Sequence, residues 1–191
     1  MIQLQSFSII AACYVLAHGL TALVITPVQS HYFPEITGFA SLAYLPHGVR
    51  VLATWLVARK AFFPLYLGAF VSELLFTPDE FSHATDPIIL LSIAVGAVSA
   101  VLAFELICLF GRNLYAGRTP RVHWRWLLLA GTVASLINSI GQSIVFSGRI
   151  GLGDSIIVLV TYAIGDIIGL VISTLILMLV FRWIRLLTQR D

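Results

Sequence analysis

The sequence predicts an all-α protein that lies in a membrane as a polytopic bundle of transmembrane helices. Of its 191 residues, 59% are hydrophobic and only 10% are charged, whereas soluble domains contain about 45–50% apolar and about 25% charged residues. The mean hydropathy of +0.99 leaves too few polar side chains to cover a water-facing surface, so the solvent must be lipid. The length suits one domain, and we expect residues 1–191 to form a single integral membrane unit.

Six apolar segments are candidates for membrane spans. A helix that crosses the hydrocarbon core needs about 20 predominantly apolar residues. The second and third segments are short, and both contain Pro and Gly. The second covers 42–58, or begins near Ile36 if its helix is broken at Pro46. The six predicted spans are approximately 7–26, 36–58, 62–76, 87–110, 126–146 and 155–181.

The basic residues give these spans an orientation, because cytoplasmic loops are enriched in Lys and Arg. With six spans, nine of the eleven basic residues fall on one side, and removing one span would scatter them over both sides. We therefore predict a bacterial inner (plasma) membrane protein with both ends in the cytoplasm. The four tryptophans map near the same interface. The nine basic residues are Arg59, Lys60, Arg112, Arg118, Arg121, Arg125, Arg182, Arg185 and Arg190.

The rest of the composition excludes several classes of function. The net charge of +2 is explained by the orientation signal, so we expect no nucleic-acid partner. Cys13 and Cys108 lie in apolar runs without metal-binding spacing, which predicts buried packing residues. The chain lacks a Gly-rich phosphate loop, a nucleophile elbow and a zinc signature. We therefore predict no enzyme activity, no catalytic residue, no metal and no cofactor.

Seven polar residues are predicted to lie at membrane depth. A charge at the centre of a span costs about 2.5–3.5 kcal/mol on insertion scales, so such side chains should face the bundle interior and find partners. Arg50 lies in the middle of the second span, and with Glu73 and Asp166 it could form a buried charge-assisted pair or triad. The candidate ligand-pocket residues are His18, His47, Arg50, Glu73, Asn138, Gln142 and Asp166.

The sequence leaves three interpretations of this polar set open: a structural clamp that fixes helix register, an outward-facing ligand pocket, and a proton or ion path. A clamp needs one pair of side chains, whereas the set comes from five spans. Pro46 and Gly48 interrupt the second span beside Arg50, and broken helices at depth line cavities. These two points favour the pocket. Each histidine alone is better explained as a hydrogen-bonded packing residue than as a metal ligand.

Small residues spaced four apart predict close contacts between helices, because a bundle in lipid has no hydrophobic drive to associate. Three of the spans carry such a row of small residues. The rows are Ser92, Gly96 and Ala100; Gly131, Ser135 and Ser139; and Gly165, Gly169 and Ser173.

Three short motifs, in chain order, resemble the bacterial membrane-associated sensor domain of the first class (MASE). They are Leu45-Pro46-His47-Gly48-Val49-Arg50, Pro64-Leu65-Tyr66-Leu67-Gly68-Ala69-Phe70 and Gly165-Asp166-Ile167-Ile168-Gly169. The resemblance covers roughly 42–181 and implies the membrane input half of a sensor, of the kind found in some histidine kinases and diguanylate cyclases. It assigns helix-break, packing and pocket roles to Pro46, Gly48, Gly68, Asp166 and Gly169. The family usually has about eight spans and a fused signalling domain, so we expect a shortened module that signals through a separate protein.

We therefore expect a sensory or ligand-binding membrane module. Its partners would be the lipid bilayer, an unidentified small ligand and another membrane or signalling protein. Six spans in 191 residues also suit the substrate-binding subunit of a vitamin-type transporter, although such subunits typically carry an Ala-x-x-x-Ala motif that is absent from 7–26. An accessory or assembly subunit of a membrane complex, which would have no pocket, is the third possibility.

Overall fold

The computed structural model is all-α in the residues it describes, which confirms the predicted class. These residues are 4–32, 41–77, 83–118, 124–146 and 155–188, so 36–40 of the second predicted span lie outside them. A π-helical turn, Thr21–Ile25, interrupts the first helix, and a 3-10 turn, Ala58–Ala61, joins the second helix to the third. The described helices are α1 (Leu4–Tyr32), α2 (Leu45–Val57), α3 (Phe62–Phe76), α4 (Pro87–Leu109), α5 (Trp124–Val145) and α6 (Ser155–Thr188).

Four of these helices, α1, α4, α5 and α6, are long and apolar enough to cross a membrane. Their outward faces carry exposed aliphatic side chains such as Leu23, Leu102 and Ile144, and extensive exposed apolar surface is typical of contact with lipid. The helices α2 and α3 have 13 and 15 residues. They are about 20 and 22 Å long, whereas the hydrocarbon core is about 30 Å thick.

The short helix α2 lies inside the described bundle, where it contacts α1, α4, α5 and α6. Nine of its 13 residues are buried, and Val51 packs with Phe104, Leu127 and Leu170 from three of those helices. Because protein rather than lipid surrounds α2, its polar side chains avoid the cost of facing lipid. This position explains how the second predicted span accommodates its ionisable residues.

The helix α2 begins near Pro46 and is not broken there, which corrects the expected interruption. Residues 41–44 are non-helical, and Pro46 lies in the first turn of α2, where the missing N–H has no intrahelical partner to lose. The Tyr44 N–H donates to the carbonyl of Gly165 at 3.0 Å. Since Gly165 is about 15 Å along α6 from Ser155, α2 starts deep within the bundle.

Residues 41–44, which we call the entry segment, have backbone groups satisfied by side chains of α1. The Leu42 N–H donates to Oε1 of Gln29 at 2.7 Å. The N–H of Leu45, the first residue of α2, donates to Oγ1 of Thr21 at 3.3 Å, and Thr21 opens the π-helical turn of α1. Non-helical backbone is tolerated at membrane depth only where protein or water satisfies its polar groups, and α1 meets this requirement here.

Two glycines of α6 allow the entry segment to lie directly on that helix. A Cβ at Gly165 would be 2.1 Å from the carbonyl oxygen of Ser41, and a Cβ at Gly169 would be 2.1 Å from that of Tyr44. The third residue of this row, Ser173, donates a hydrogen bond at 3.2 Å to the backbone of α2. The row of small residues on α6 is therefore the surface on which α2 begins.

The other glycines singled out in the sequence also lie at close contacts. A Cβ at Gly48 would be 2.4 Å from Cβ of Ser173, and a Cβ at Gly68 would be 2.9 Å from Cβ of Tyr14 and 3.0 Å from the carbonyl oxygen of Ala11. These contacts bring α2 against α6 and α3 against α1, as small residues do in membrane bundles.

The turn between α2 and α3 contains a strained residue. Ala58 has φ 55° and ψ −142°, a conformation that glycine adopts freely and that a residue with a Cβ rarely adopts. Ala58→Gly should therefore stabilise the protein by about 1 kcal/mol, because the relieved strain exceeds the entropy that glycine loses on folding. Thermal unfolding in detergent measures this change.

Ala61 provides the matched control for this prediction. It is fully buried in the same turn and has an ordinary φ of −62°, so Ala61→Gly should destabilise the protein. A similar loss of stability in both variants would show that Ala58 is not strained.

Candidate functional site

His47 and Asp166 form a buried pair between α2 and α6. Nδ1 of His47 lies 3.4 Å from Oδ2 of Asp166, and the two side chains are 0% and 1% exposed. The other ring nitrogen, Nε2, lies 3.0 Å from the carbonyl oxygen of Gly131 on α5. The pair therefore joins three helices at one point. The predicted partner of Asp166 was Arg50, and the structure places His47, one turn earlier on α2, in that position.

The surroundings of His47 require the pair to hold a proton. A carbonyl oxygen only accepts hydrogen bonds, so Nε2 must carry a hydrogen. In a neutral imidazole Nδ1 would then present a lone pair to the Asp166 carboxylate, and this contact is repulsive in a dry interior. One further proton, on Nδ1 or on the carboxylate, removes the repulsion. In both cases the pair has no net charge, as its burial demands.

Arg50 is surrounded by aromatic rings. Its Nη2 donates to the hydroxyl oxygen of Tyr14 at 2.8 Å, and its Cζ lies 5.5 Å from the ring centroids of both Tyr14 and Tyr44. Such cation–π contacts contribute about 2 kcal/mol when they are desolvated. The guanidinium also lies against α4 where Gly96 leaves room, since a Cβ at Gly96 would be 2.6 Å from Nη2.

The guanidinium of Arg50 has donors that no described residue uses. Nε and Nη1 are buried and make no hydrogen bond within the described ranges, and the residue is 5% exposed. An arginine does not lose its proton in proteins. Asp166 acts electrostatically on Arg50, but the Nε–H and Nη1–H groups still lack acceptors among the described residues. These N–H groups are therefore suited to bind an anion.

His18 and Glu73 lie beside Arg50, on α1 and α3. The His18 ring stacks on Phe76 with centroids 5.8 Å apart and meets the Tyr44 ring edge-on at 6.1 Å. Nδ1 of His18 is buried without a hydrogen-bond partner among the described residues. Arg50 and the half-buried Glu73 both act electrostatically on His18. We call this group the arginine cluster, and it consists of Tyr14, His18, Tyr44, Arg50 and Glu73.

Asn138 and Gln142 form a separate tie between α5 and α4. The side chain of Gln142 accepts from Oγ of Ser92 at 2.8 Å and donates to the Ser92 carbonyl at 3.0 Å. It also donates to Oδ1 of Asn138 at 3.4 Å. Because these bonds are directed to α4 and to each other, we assign the two predicted pocket residues to helix packing.

Tyr14 and Tyr44 complete the arginine cluster although the sequence did not single them out. A tyrosine in an apolar run resembles an ordinary packing or interface residue. The spacing of Tyr14 and His18, four residues apart, does place them on one helix face. No local pattern identifies Tyr44, which reaches the cluster because the entry segment folds onto α6.

Within the part of the chain that the structure describes, no three His, Cys, Asp or Glu residues lie close enough to hold a metal ion. Cys13 is exposed and Cys108 is half-buried, so the predicted burial of both was wrong. A thiol behaves as a small apolar group, and its contact with lipid costs little.

Comparisons with known proteins do not identify a family for this chain. No protein-family model, no curated protein and no solved structure matches it. The resemblance to the membrane-associated sensor domain stays a prediction from its three motifs, and the geometry of the arginine cluster is the basis for the function inferred below.

Proposed function

We propose that this protein is a multi-pass membrane sensor that binds a small anion at the arginine cluster and performs no catalysis. The observation that carries the proposal is Arg50, a permanently charged residue whose Nε and Nη1 have no partner among the described residues. An anion that accepts from these groups would form charge-assisted hydrogen bonds, which are about twice as strong as neutral ones.

The side chains around Arg50 favour a carboxylate with an aromatic or apolar body. The rings of Tyr14, His18, Tyr44 and Phe76 are grouped beside the guanidinium, and small-molecule sites combine apolar walls with a few well-placed polar groups. Nδ1 of His18, buried and without a described partner, would offer the ligand a second polar contact.

The division of the predicted polar set into three groups, of which Asn138 and Gln142 form one, supports this function. The contacts of His47 with Asp166 and Gly131 join α2 to α6 and α5, which supports a clamp role for His47 and Asp166. Among the described residues, Arg50 hydrogen-bonds to Tyr14 and not to that pair. In this proposal the buried pair fixes helix register, and the arginine cluster binds the ligand.

We further propose six membrane crossings, with both ends of the chain in the cytoplasm of a bacterium. The paired short helices α2 and α3 support this arrangement, because the turn that joins them carries Arg59 and Lys60. The loop that follows α4 meets the end of α2 through a hydrogen bond at 2.9 Å from the Ala116 N–H to the Trp55 carbonyl. The basic residues of these two connections would then share the cytoplasmic side, and the arginine cluster would open towards the outside.

A ligand at Arg50 would act directly on the helix that contacts four others. Since α2 packs against α1, α4, α5 and α6, a small displacement of α2 would change the packing of all of them. The ligand shifts the equilibrium only by its difference in affinity for the two packing states. A separate membrane or signalling protein would read the change at the cytoplasmic end.

Sodium benzoate, a small aromatic carboxylate, tests the proposal, and benzamide is its uncharged counterpart. Benzoate should raise the Tm of the purified protein in detergent by about 2–4 °C for each kcal/mol of ligand stabilisation, and benzamide should not. Arg50→Met should abolish this shift. Because the variant removes a buried charge and keeps a similar volume, it should be at least as stable as the parent without ligand.

The exposed Arg185 of α6 provides the matched control, and Arg185→Met should keep the benzoate shift. A destabilised Arg50→Met variant would instead make Arg50 a structural partner and contradict the proposal. Equal benzoate shifts in the parent and in Arg50→Met would also contradict the proposal. No shift in the parent would reject an aromatic carboxylate as the ligand.

A further inference from the structure

A groove lies at the end of the bundle where α2 meets α3, beside the loop that follows α4. Its volume is about 790 Å³, and its lining includes Arg59, Lys60, Arg118 and the apolar Leu56. We call it the basic groove. None of its lining residues belongs to the arginine cluster, so any ligand it holds is distinct from the one proposed above.

The charges of the basic groove do not cancel. Arg59 donates from Nε and Nη2 to the two carboxylate oxygens of Glu105, and the Tyr115 hydroxyl donates to Oε1 at 2.6 Å. The hydrogen bond to Glu105 raises the pKa of Arg59. Partial burial and the bond to the same carboxylate raise the pKa of Tyr115, so both remain donors. Lys60 and Arg118 are exposed and have no ion pair with any described residue, which leaves two uncompensated cations.

The basic groove also has an apolar part that a soluble anion would not need. Leu56 is 54% exposed, and Val57 and Cys108 line the same space. Leu109 and Phe110, which directly follow Cys108, are 83% and 82% exposed. The groove therefore offers cations and apolar side chains to one occupant, and that occupant should carry both an anionic group and a hydrocarbon chain.

We propose that the basic groove binds an anionic phospholipid, with Lys60 and Arg118 at the phosphate and Leu56 and Val57 against the first acyl carbons. Basic pockets between membrane helices bind anionic headgroups, and cations near a bilayer surface attract anionic lipid. A bound lipid would contact both the α2–α3 turn and the loop after α4. This inference uses the membrane setting of the chain and makes no use of the anion at Arg50.

Native mass spectrometry of the detergent-purified protein tests this site, with phosphatidylglycerol and phosphatidylcholine of identical acyl chains as probes. Phosphatidylglycerol should bind more tightly than phosphatidylcholine. The double variant Lys60→Gln, Arg118→Gln should weaken phosphatidylglycerol binding about thirtyfold. The control is Arg182→Gln, Arg185→Gln, which removes two exposed charges from α6 and should leave the affinity unchanged.

Three results would overturn the proposal. Equal weakening in the two double variants would show that net charge, and not the groove, attracts the lipid. Equal binding of the two lipids would show that the phosphate environment is not recognised. Displacement of the lipid by glycerol 3-phosphate, together with an unchanged lipid affinity in Leu56→Ser, would identify the occupant as a soluble phosphate.

Discussion

Asp166→Ala should destabilise the protein by about 3–5 kcal/mol, the usual cost of removing one partner from a buried pair. His47 is fully buried, and its Nε2 is held by the carbonyl of Gly131. Its Nδ1 would therefore face the space left by the carboxylate without a partner. Because the pair joins α2, α5 and α6, the loss affects the packing of all three helices. Thermal or denaturant unfolding in detergent measures it.

Asp166→Asn separates the charge of this residue from its geometry. The amide can donate an N–H to Nδ1 of a neutral His47, while Nε2 keeps its bond to Gly131. We expect a loss of about 1 kcal/mol, the contribution of one ordinary hydrogen bond. A loss as large as that of Asp166→Ala would contradict a pair that shares one proton and has no net charge.

Glu105→Ala is the control for burial, because it removes a half-buried carboxylate whose partner Arg59 is exposed. Its bidentate bond to Arg59 and its bond from Tyr115 lie at the surface, where ion pairs contribute little to stability, so this variant should cost clearly less stability than Asp166→Ala. If Glu105→Ala and Asp166→Ala were equally destabilising, burial would not explain the importance of Asp166.

Asp166→Ala and Arg50→Met are expected to move stability in opposite directions. A clamp residue stabilises the fold, whereas a buried binding residue with unused donors costs stability that a bound ligand recovers. The two residues are both buried, so opposite effects would separate a residue that ties helices together from one whose donors await a ligand.

The helix class and several helix ends could be predicted because local signals specify them. The fourth predicted span, 87–110, corresponds to α4 at Pro87–Leu109, since Asp86 caps the helix by accepting from the Ile88 N–H at 2.9 Å and Pro87 suits the first turn. The first helix extends beyond 7–26 to Leu4–Tyr32. Polar residues such as Gln29 end an apolar run, but they do not end a helix.

The partners within the site could not be predicted, because they depend on how α2 is rotated among its neighbours. His47 and Arg50 are nearly one turn apart, and either could face Asp166 in a helix drawn from sequence alone. The rotation is fixed by the entry segment, whose contacts come from Gln29 on α1 and Gly165 on α6. No pattern along the chain relates residues that are so far apart in sequence.

The same contacts make Gly169→Ala the substitution that should most strongly disturb the start of α2. The added Cβ would be 2.1 Å from the carbonyl oxygen of Tyr44 and 3.0 Å from the Leu45 nitrogen. Both are backbone atoms held by hydrogen bonds, so they cannot rotate away as a side chain would. We expect a loss of about 3 kcal/mol despite the gain of about 1 kcal/mol in helix propensity.

Gly19→Ala is the matched control on α1, because it brings the same gain in propensity. There the nearest atoms belong to the Phe76 ring, at 2.9 and 3.3 Å, and a ring can shift by a few tenths of an ångström. Gly19→Ala should therefore cost much less stability than Gly169→Ala.

The displacement of Tyr44 in Gly169→Ala should also weaken the benzoate shift of that variant. If Gly169→Ala matched the parent in stability and in benzoate response, the entry segment would not position the arginine cluster.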